Sequence, residues 1–303
     1  MQLFRTAAID RGVNRSVRRF FMVCVVASVT VFTWSVSICT ADETSPLELT
    51  VVSFNVLVDF GSAPEVPSWK RRRALCAQVL RESHADLIGL QETSPGQLRY
   101  LLKQLPDYAA HYYHRRKNDP GYPDATLLYD RRKFEPIETG HWWLSPTPER
   151  VSTGFGNALP RLVVWAKLRH KQTGRALYFF DTHFDNSRPS QTKMAECCRQ
   201  QMAPFRETNL PMVFTGDFNT DQNRGDYAKL TSDGWHDSYL ASDQATVDGH
   251  DDNVPTFHNG TRIDHIFYRG PGATALTWQR LESPDPERAL SDHFPIRAQL
   301  RFE

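Results

Sequence analysis

The sequence predicts one α/β domain in which mixed β-sheets are covered by helices. Two observations carry this. Short β-branched runs with strand alternation are interspersed with segments of helical period. Several successive strands are also close enough to pair as hairpins, so the sheets are not purely parallel. No linker is rich enough in Pro, Gly or Ser to split the chain, and no repeat or low-complexity tract interrupts it.

After the short linker Asp42–Pro46, "LELTVVSFNVL" alternates and reads as a strand ending at Asn55. A helix follows in "SWKRRRALCAQVLRES", with Ser68 as N-cap and Ala74, Leu75, Val79 and Leu80 at helical spacing. Its Arg71–Arg73 run reads as a solvated face. "ADLIGLQE" is a short apolar strand ending at Gln91-Glu92, and "SPGQLRYLLKQL" is a second helix with Pro in its first turn. An exposed strand and loop is expected across His111–Arg116. "ATLLYD", "RLVVWAKLRH" and "RALYFFDTHF" read as strands, the last two joined by a turn at Gln172-Thr173-Gly174. Trp142-Trp143 places one indole on each face of a strand, so at least one is core. "SPTPERVSTGFGNALP" is a long loop of the kind that often carries function. A helix is expected over about Gln191–Glu207, then the strand "PMVFTGDFN", a short helix near Asp226–Leu230, and the strands "TRIDHIFYR", "ATALTWQRLE" and "FPIRAQLRF".

Residues 1–41 stand apart. A basic stretch ending in Arg18-Arg19 leads into a charge-free run from Phe20 to Ile38. Small residues then precede Asp42-Glu43. This is the pattern of a secretory signal peptide, loosely of the twin-arginine kind. An uncleaved transmembrane anchor is the alternative, because the run is long enough to span a bilayer. Both readings place residues 42–303, the folded domain, outside the cytosol, as a periplasmic, secreted or membrane-anchored protein. Residues 1–41 carry five arginines and one aspartate of the chain's 36 basic and 35 acidic residues, so the remainder has a net charge of about −3. That balance argues against broad counterion release at nucleic acid. Cys76, Cys197 and Cys198 are too few and wrongly spaced for a structural zinc site. Cys76 paired with one of the others and three buried free thiols are both open readings.

Strand after strand ends in a residue that an apolar core would not choose. Asn55 closes one, Glu92 the next, and His183 another. Asp217 and Asn219 close "MVFTGDFN", Asp264 opens "IDHIF", and Asp292-His293 precedes the last strand. Buried carboxylates and imidazoles are costly unless paired or metal-bound, so these ends are expected to converge. Residues i and i+2 of a strand share a face, so Asp217 and Asn219 can aim at one point. Gly216 lets the backbone approach something bound there. Carboxylate and amide oxygens without a His/Cys cluster favour a hard cation, Mg²⁺ or Mn²⁺. Such an ion neutralises a phosphoryl group and acidifies water. A His293–Asp264 pair would favour imidazolium and offset charge on phosphoryl oxygens.

The blocks "VVSFNVL", "LIGLQE", "FDTHFDN", "TGDFN", "TFHNGTRIDHIF" and "SDHFPI", in this order, resemble the endonuclease/exonuclease/phosphatase superfamily. "HWWLSPTPE" and "ALPRLVVWAKL" resemble a bacterial, often exported subgroup. The resemblance implies a four-layer sandwich, two mixed sheets face to face with helices outside. It implies Glu92 as principal metal ligand with Asn55 and Asp292 nearby, and Asp217 activating or orienting the attacking water. Asn219 would position that water and the phosphate, and His293 with Asp264 would stabilise phosphoryl oxygens. His183 would lie near the leaving group. Thr256 is placed near the site by resemblance alone, and Arg161, after a loop and Pro160, is a candidate phosphate contact. Tyr122 and Asp124 are both open as supports for His183.

The expected activity is a divalent-metal-dependent phosphoesterase attacking phosphorus with water, with no covalent enzyme intermediate, acting as a monomer without an obligate protein partner. A nuclease is the alternative within that class. A non-catalytic binding module and an extracellular calcium-binding domain, the latter suggested by Asp221 beside Asn219, are the alternatives outside it. The substrate class is left open.

Overall fold

Strand alternation decides what each strand presents to the core. Leu47, Leu49 and Val51 of β1 (Leu47–Asn55) point to one side, and Val52 and Phe54 to the other. The same division repeats along the chain. In order, the elements are α1 (Trp69–Glu82), β2 (Leu87–Gln91), α2 (Pro95–Gln104), β3 (Tyr108–Tyr112), β4 (Ala125–Asp130), β5 (Phe134–Trp143), β6 (Leu162–His170) and β7 (Ala176–His183). They continue with α3 (Arg188–Gln201), α4 (Ala203–Arg206), β8 (Met212–Asp217), α5 (Gly225–Leu230), β9 (His236–Asp237), α6 (Ser238–Ala241), β10 (Asp264–Arg269), β11 (Thr274–Arg280) and β12 (Ile296–Phe302). This computed structural model describes residues 45–113, 124–242 and 254–303, all within the unit Ala41–Glu303. Residues 1–41, Tyr122 and the stretch from His114 to Arg116 lie outside the described residues. No described helix is long and apolar enough to cross a membrane.

The strands form two six-stranded mixed sheets, ordered β11-β12-β1-β2-β4-β3 and β5-β6-β7-β8-β10-β9. One cluster of buried side chains, from Val51 and Leu127 to Phe179 and Ile266, lies between them. A second joins α1 and α2 to the outer face of the first sheet, and a third joins α3 and α5 to the outer face of the second. The result is the expected four-layer sandwich. Each sheet contains one parallel pair at its centre, β1 with β2 and β7 with β8. The C-terminal ends of all four strands therefore bear site residues. Antiparallel β10 begins at that same end, with Asp264 opposite Asp217.

Local chemistry explains the differences from expectation. The helix expected over Gln191–Glu207 is two helices that meet at Met202. Pro204 lacks the N–H for an i→i−4 bond and crowds the preceding turn. Both Trp142 and Trp143 are buried, on opposite sides of the second sheet. Among the described residues Cys76, Cys197 and Cys198 are free and buried, with Cys76 on the outer side of one sheet and Cys197 and Cys198 on that of the other. Ser68 occupies the N-cap position of α1 without a side-chain capping bond. Ser94 and Gln97, by contrast, form a full capping box on α2.

The largest correction concerns Arg72. It is not part of a solvated face but is only 1% exposed. Its guanidinium donates to the carbonyls of Val56, Leu57 (2.6 Å), Leu290 (2.7 Å) and Pro67 (3.1 Å). One side chain thus ties the segment after β1 to the segment that precedes Asp292-His293. Gln97 reinforces the first of these by donating to Leu57 O and accepting from Asp59 N–H. Arg72→Met leaves buried carbonyls without donors and is expected to cost about 3 kcal/mol of stability in urea unfolding. An unchanged midpoint would mean that water replaces the guanidinium.

Candidate active site

At the open end of the sandwich the inner faces change character. Val51 is followed on the same face by Ser53 and Asn55, Phe179 by Asp181 and His183, and Val213 by Thr215 and Asp217. Every one of these polar side chains is buried. The two sheets therefore deliver Asn55 from one side and His183, Asp217 and Asp264 from the other.

Asp217 is the meeting point. Its Oδ2 accepts from Asn55 Nδ2 at 3.0 Å and lies 3.4 Å from His183 Nε2 and 3.6 Å from His293 Nε2. Its Oδ1 accepts from Asn219 N–H at 3.0 Å, closing an Asx-type turn. Each imidazole is held from behind by a second carboxylate. His293 Nδ1 is 2.9 Å from Asp264 Oδ2. His183 Nδ1 is 2.9 Å from Asp124 Oδ1, a charge contact set off the line of an ideal hydrogen bond. Asp124 thereby answers the question of what supports His183.

These pairs set the charge states. Burial alone would lower the His293 pKa, but Asp264, Asp217 and Asp292 raise it to about 10. For His183, burial and the nearby Arg161 oppose the proton, while Asp124 and Asp217 favour it and prevail, so its pKa is raised. Burial would raise the Asp124 pKa, but Arg161 and His183 hold it below the usual carboxylate range. Two imidazolium donors facing one carboxylate are suited to an anion at that point.

Glu92 reaches the cluster through Asn55. Its Oε1 accepts from Asn55 Nδ2 at 3.3 Å, and its Oε2 from Val58 N–H at 3.2 Å. Glu92 and Asn219 both have left-handed backbone, at φ 56° and 51°. Non-glycine residues there cost about 1–2 kcal/mol and concentrate at functional sites. Asn219 is fixed in that conformation from both sides. Its Nδ2 donates to Phe184 O, and its carbonyl accepts from Gln191 Nε2 at 2.7 Å. Asp292 adjoins His293 and accepts from Ser291 Oγ at 3.1 Å. Its carboxylate and that of Glu92 both lie within electrostatic reach of the Arg72 guanidinium.

Two groups of donors could hold a cation. Asp217, Asp264 and His293 offer ligand atoms within 4.8 Å of one another, and Asp264 Oδ1 has no hydrogen-bond partner among the described residues. In that group His293 already pairs with Asp264, Nδ1 to Oδ2 at 2.9 Å. Glu92 and Asn55 offer oxygen atoms held by long hydrogen bonds that an ion can displace, the donor type a hard divalent cation takes. Asp221 is spent on a local turn, accepting from Asn223 N–H.

Two expected contacts, Arg161 and Gly216, are placed differently, while Thr256 lies beside Asp264. Arg161 is buried, and its NH1 grips both oxygens of Asp124 at 2.6 and 2.7 Å, so it is committed to the carboxylate behind His183. Thr256 is fully buried, and its hydroxyl accepts from the N–H groups of Ile263 and Asp264. Gly216 faces not a ligand but the Thr182 carbonyl, too close for a Cβ. His265, beside Asp264, points to the opposite face, where Asp237 and Thr220 O bind its ring.

A four-layer sandwich with carboxylates, amides and imidazoles gathered at one end of its sheets is the architecture of a class of phosphate-ester hydrolases. Residues 52–293 match the Endonuclease/Exonuclease/phosphatase family, and the chain belongs to it. No curated protein matches the chain. Among solved structures, it is similar to an endonuclease/exonuclease/phosphatase family protein from Bacteroides thetaiotaomicron, with 29% identity and a TM-score of 0.74 over 86% of this chain and 99% of that one. A mannosyl-6-phosphatase from the same organism is 30% identical, with a TM-score of 0.72 over 83% of this chain and 99% of that one. The human Nocturnin catalytic domain, 17% identical, shares the fold over 86% of this chain and 97% of its own, with a TM-score of 0.68.

The His293 charge has a measurable signature in metal-free protein. A histidine whose folded pKa is raised contributes stability that is complete below its ordinary value of 6.5 and lost as pH rises through about 10. His293→Gln should therefore flatten the decline of unfolding free energy between pH 7 and 10. A decline as steep as in wild type would place the charge elsewhere.

Proposed function

We propose that this protein is a divalent-metal-dependent phosphoesterase that hydrolyses a phosphate ester by in-line attack of water, without a covalent enzyme intermediate. The observation that carries the reading is the position of Asp217 Oδ2, between the Asn55 amide and the two imidazoles. Asp217 accepts the proton of the attacking water or orients it. Asn219 positions the water and the phosphate. His293, backed by Asp264, donates to the phosphoryl oxygens, and His183, backed by Asp124, stands by the leaving group. Glu92, Asn55 and Asp292 would hold Mg²⁺ or Mn²⁺, which offsets phosphoryl charge and acidifies water.

A small phosphate ester, such as a sugar phosphate, is favoured over a nucleic-acid strand. The similarity to a mannosyl-6-phosphatase supports this. So does a cavity of about 450 Å³ with His293 in its wall, where Glu65, Glu282 and Glu287 outnumber Arg288. That lining suits hydroxyls better than a polyanion. The basic, then apolar N-terminal segment supports export, by a cleaved signal or an anchor.

The test is hydrolysis of hexose phosphates, aryl phosphate esters, DNA and RNA by residues 42–303, with and without EDTA. Metal-dependent release of phosphate from hexose phosphates is expected, and Asp217→Asn should lower turnover about 10³-fold in a protein that still folds. A near-wild-type rate in that variant would remove Asp217 from its role. Glu92→Ala should sharply raise the Mg²⁺ concentration needed for activity, and an unchanged requirement would place the ion elsewhere.

A further inference from the structure

One layer below the candidate active site lies a second buried polar layer that none of the proposed roles uses. Ser53, Gln91, Asp181 and Thr215 are all fully buried, at 0% exposure. Ser53, Asp181 and Thr215 each precede a site residue on the same strand face by two positions, and Gln91 immediately precedes Glu92. Asp181, from the second sheet, is the centre. Its Oδ1 is 2.7 Å from Gln91 Nε2, which reaches across from the first sheet, and 2.7 Å from the Thr215 hydroxyl beside it. Its Oδ2 accepts from Thr126 N–H, again of the first sheet, at 3.1 Å. Gln91 also donates to Ser53 Oγ at 3.3 Å. Opposite these groups the first sheet carries Gly89, where any Cβ would collide with Thr215 Oγ1 and Asp181 Oδ1.

We propose that Asp181 is a positioning residue. Its carboxyl joins the two sheets directly beneath the site and thereby sets the distance between the side that bears Asn55 and Glu92 and the side that bears His183 and Asp217. The proposal rests on the phosphoesterase reading for its kinetic consequence but not for its geometry. Below this layer the sheets meet through side chains of the hydrocarbon core, which tolerate small slides and repacking. Directional hydrogen bonds do not. Misplacing a reacting group by about 1 Å can cost about 10²-fold in rate, so a rigid spacer adjacent to the site is where precision has most effect.

The chemistry of the layer is that of a neutral tie. Burial, with no cation alongside, pushes the Asp181 pKa well above the usual carboxylate range. A protonated Asp181 donates to Thr215 Oγ1, whose hydroxyl in turn donates to Phe180 O at 3.2 Å. Asparagine can reproduce this pattern. Its amide nitrogen donates to Thr215 and, after rotation of the Gln91 amide, to Gln91 Oε1, an atom with no partner among the described residues.

The experiment compares Asp181→Leu, Asp181→Asn, Thr215→Val and Gln91→Leu in residues 42–303. Two readouts are taken on each, kcat and KM on an aryl phosphate ester and the imidazole NMR resonances of His183 and His293. Asp181→Leu should lower kcat about 10²-fold with KM within about 2-fold, and should shift the imidazole resonances in a protein that remains folded. Thr215→Val and Gln91→Leu should lower kcat in the same sense by smaller factors, and they carry the test if the Leu variant does not fold. Asp181→Asn should restore both rate and spectrum. Wild-type kcat and unmoved imidazole resonances in the Leu variant, with only a lower Tm, would reduce the layer to packing and overturn the proposal. So would an Asn variant as impaired as the Leu variant. If the wild type hydrolyses no phosphate ester, the functional reading falls, while the imidazole resonances still decide the role of Asp181.

Discussion

A carboxylate buried at the end of a hydrocarbon sandwich persists only if other groups stabilise its charge. Asp217 meets that condition with an amide from the opposite sheet, a backbone N–H two residues on, and two imidazoles. Each imidazole depends in turn on its own carboxylate, Asp264 or Asp124, and Asp124 depends on Arg161. The chain of dependence starts at one oxygen atom and extends through both sheets. Removing any member leaves a buried charge without its counterpart, a larger loss than one hydrogen bond.

The fold supplies this constellation by a gradient. Between the sheets the inner faces run from hydrocarbon, through a hydrogen-bonded polar layer, to the charged site. They do so within four residues of β1, from Val51 to Asn55, and of β8, from Val213 to Asp217. Because β1 pairs parallel with β2, and β7 with β8, these gradients point the same way and end together. The segments beyond the strands are then fixed from outside the sandwich. Arg72 of α1 binds three carbonyls after β1 and before Asp292, and Gln191 of α3 holds the Asn219 carbonyl. Helices that look like mere covering therefore anchor the two loops where precision matters.

Much of this was legible in the sequence because strand period and strand-end polarity are local signals. Asn55, His183, Asp217 and Asp264 could be placed from alternation, and the family resemblance ordered them. What escaped depended on contacts far apart in the chain. Arg72 sits between Arg71 and Arg73, and nothing nearby shows that its acceptors include Leu290, 218 positions away. Asp181 reads as an ordinary residue before "TH" until Gln91, 90 positions distant, is found against it. Arg161 follows a loop and Pro160, and nothing beside it in the chain shows that a carboxylate already holds it. Its partner Asp124 follows a segment whose register could not be fixed from sequence. The left-handed backbone at Glu92 and Asn219 leaves no compositional trace, since neither position is glycine.

Charge balance links the arrangement to the proposed chemistry. The carboxylates Glu92, Asp124, Asp217, Asp264 and Asp292 face Arg161, Arg72 and the two imidazoles, with pKa values raised at both His183 and His293. Even with both rings protonated, the negative groups exceed the positive by one. A phosphate monoester would bring about two more negative charges at neutral pH. Arg161 and the two imidazoles already face the protein's own carboxylates, and Arg72 is held by backbone carbonyls, so none of them is free to cancel this excess. A divalent ion at Glu92 would cancel most of it while leaving the His293–Asp264 and His183–Asp124 pairs intact. In the proposed reaction the ion would therefore serve substrate entry as well as the activation of water.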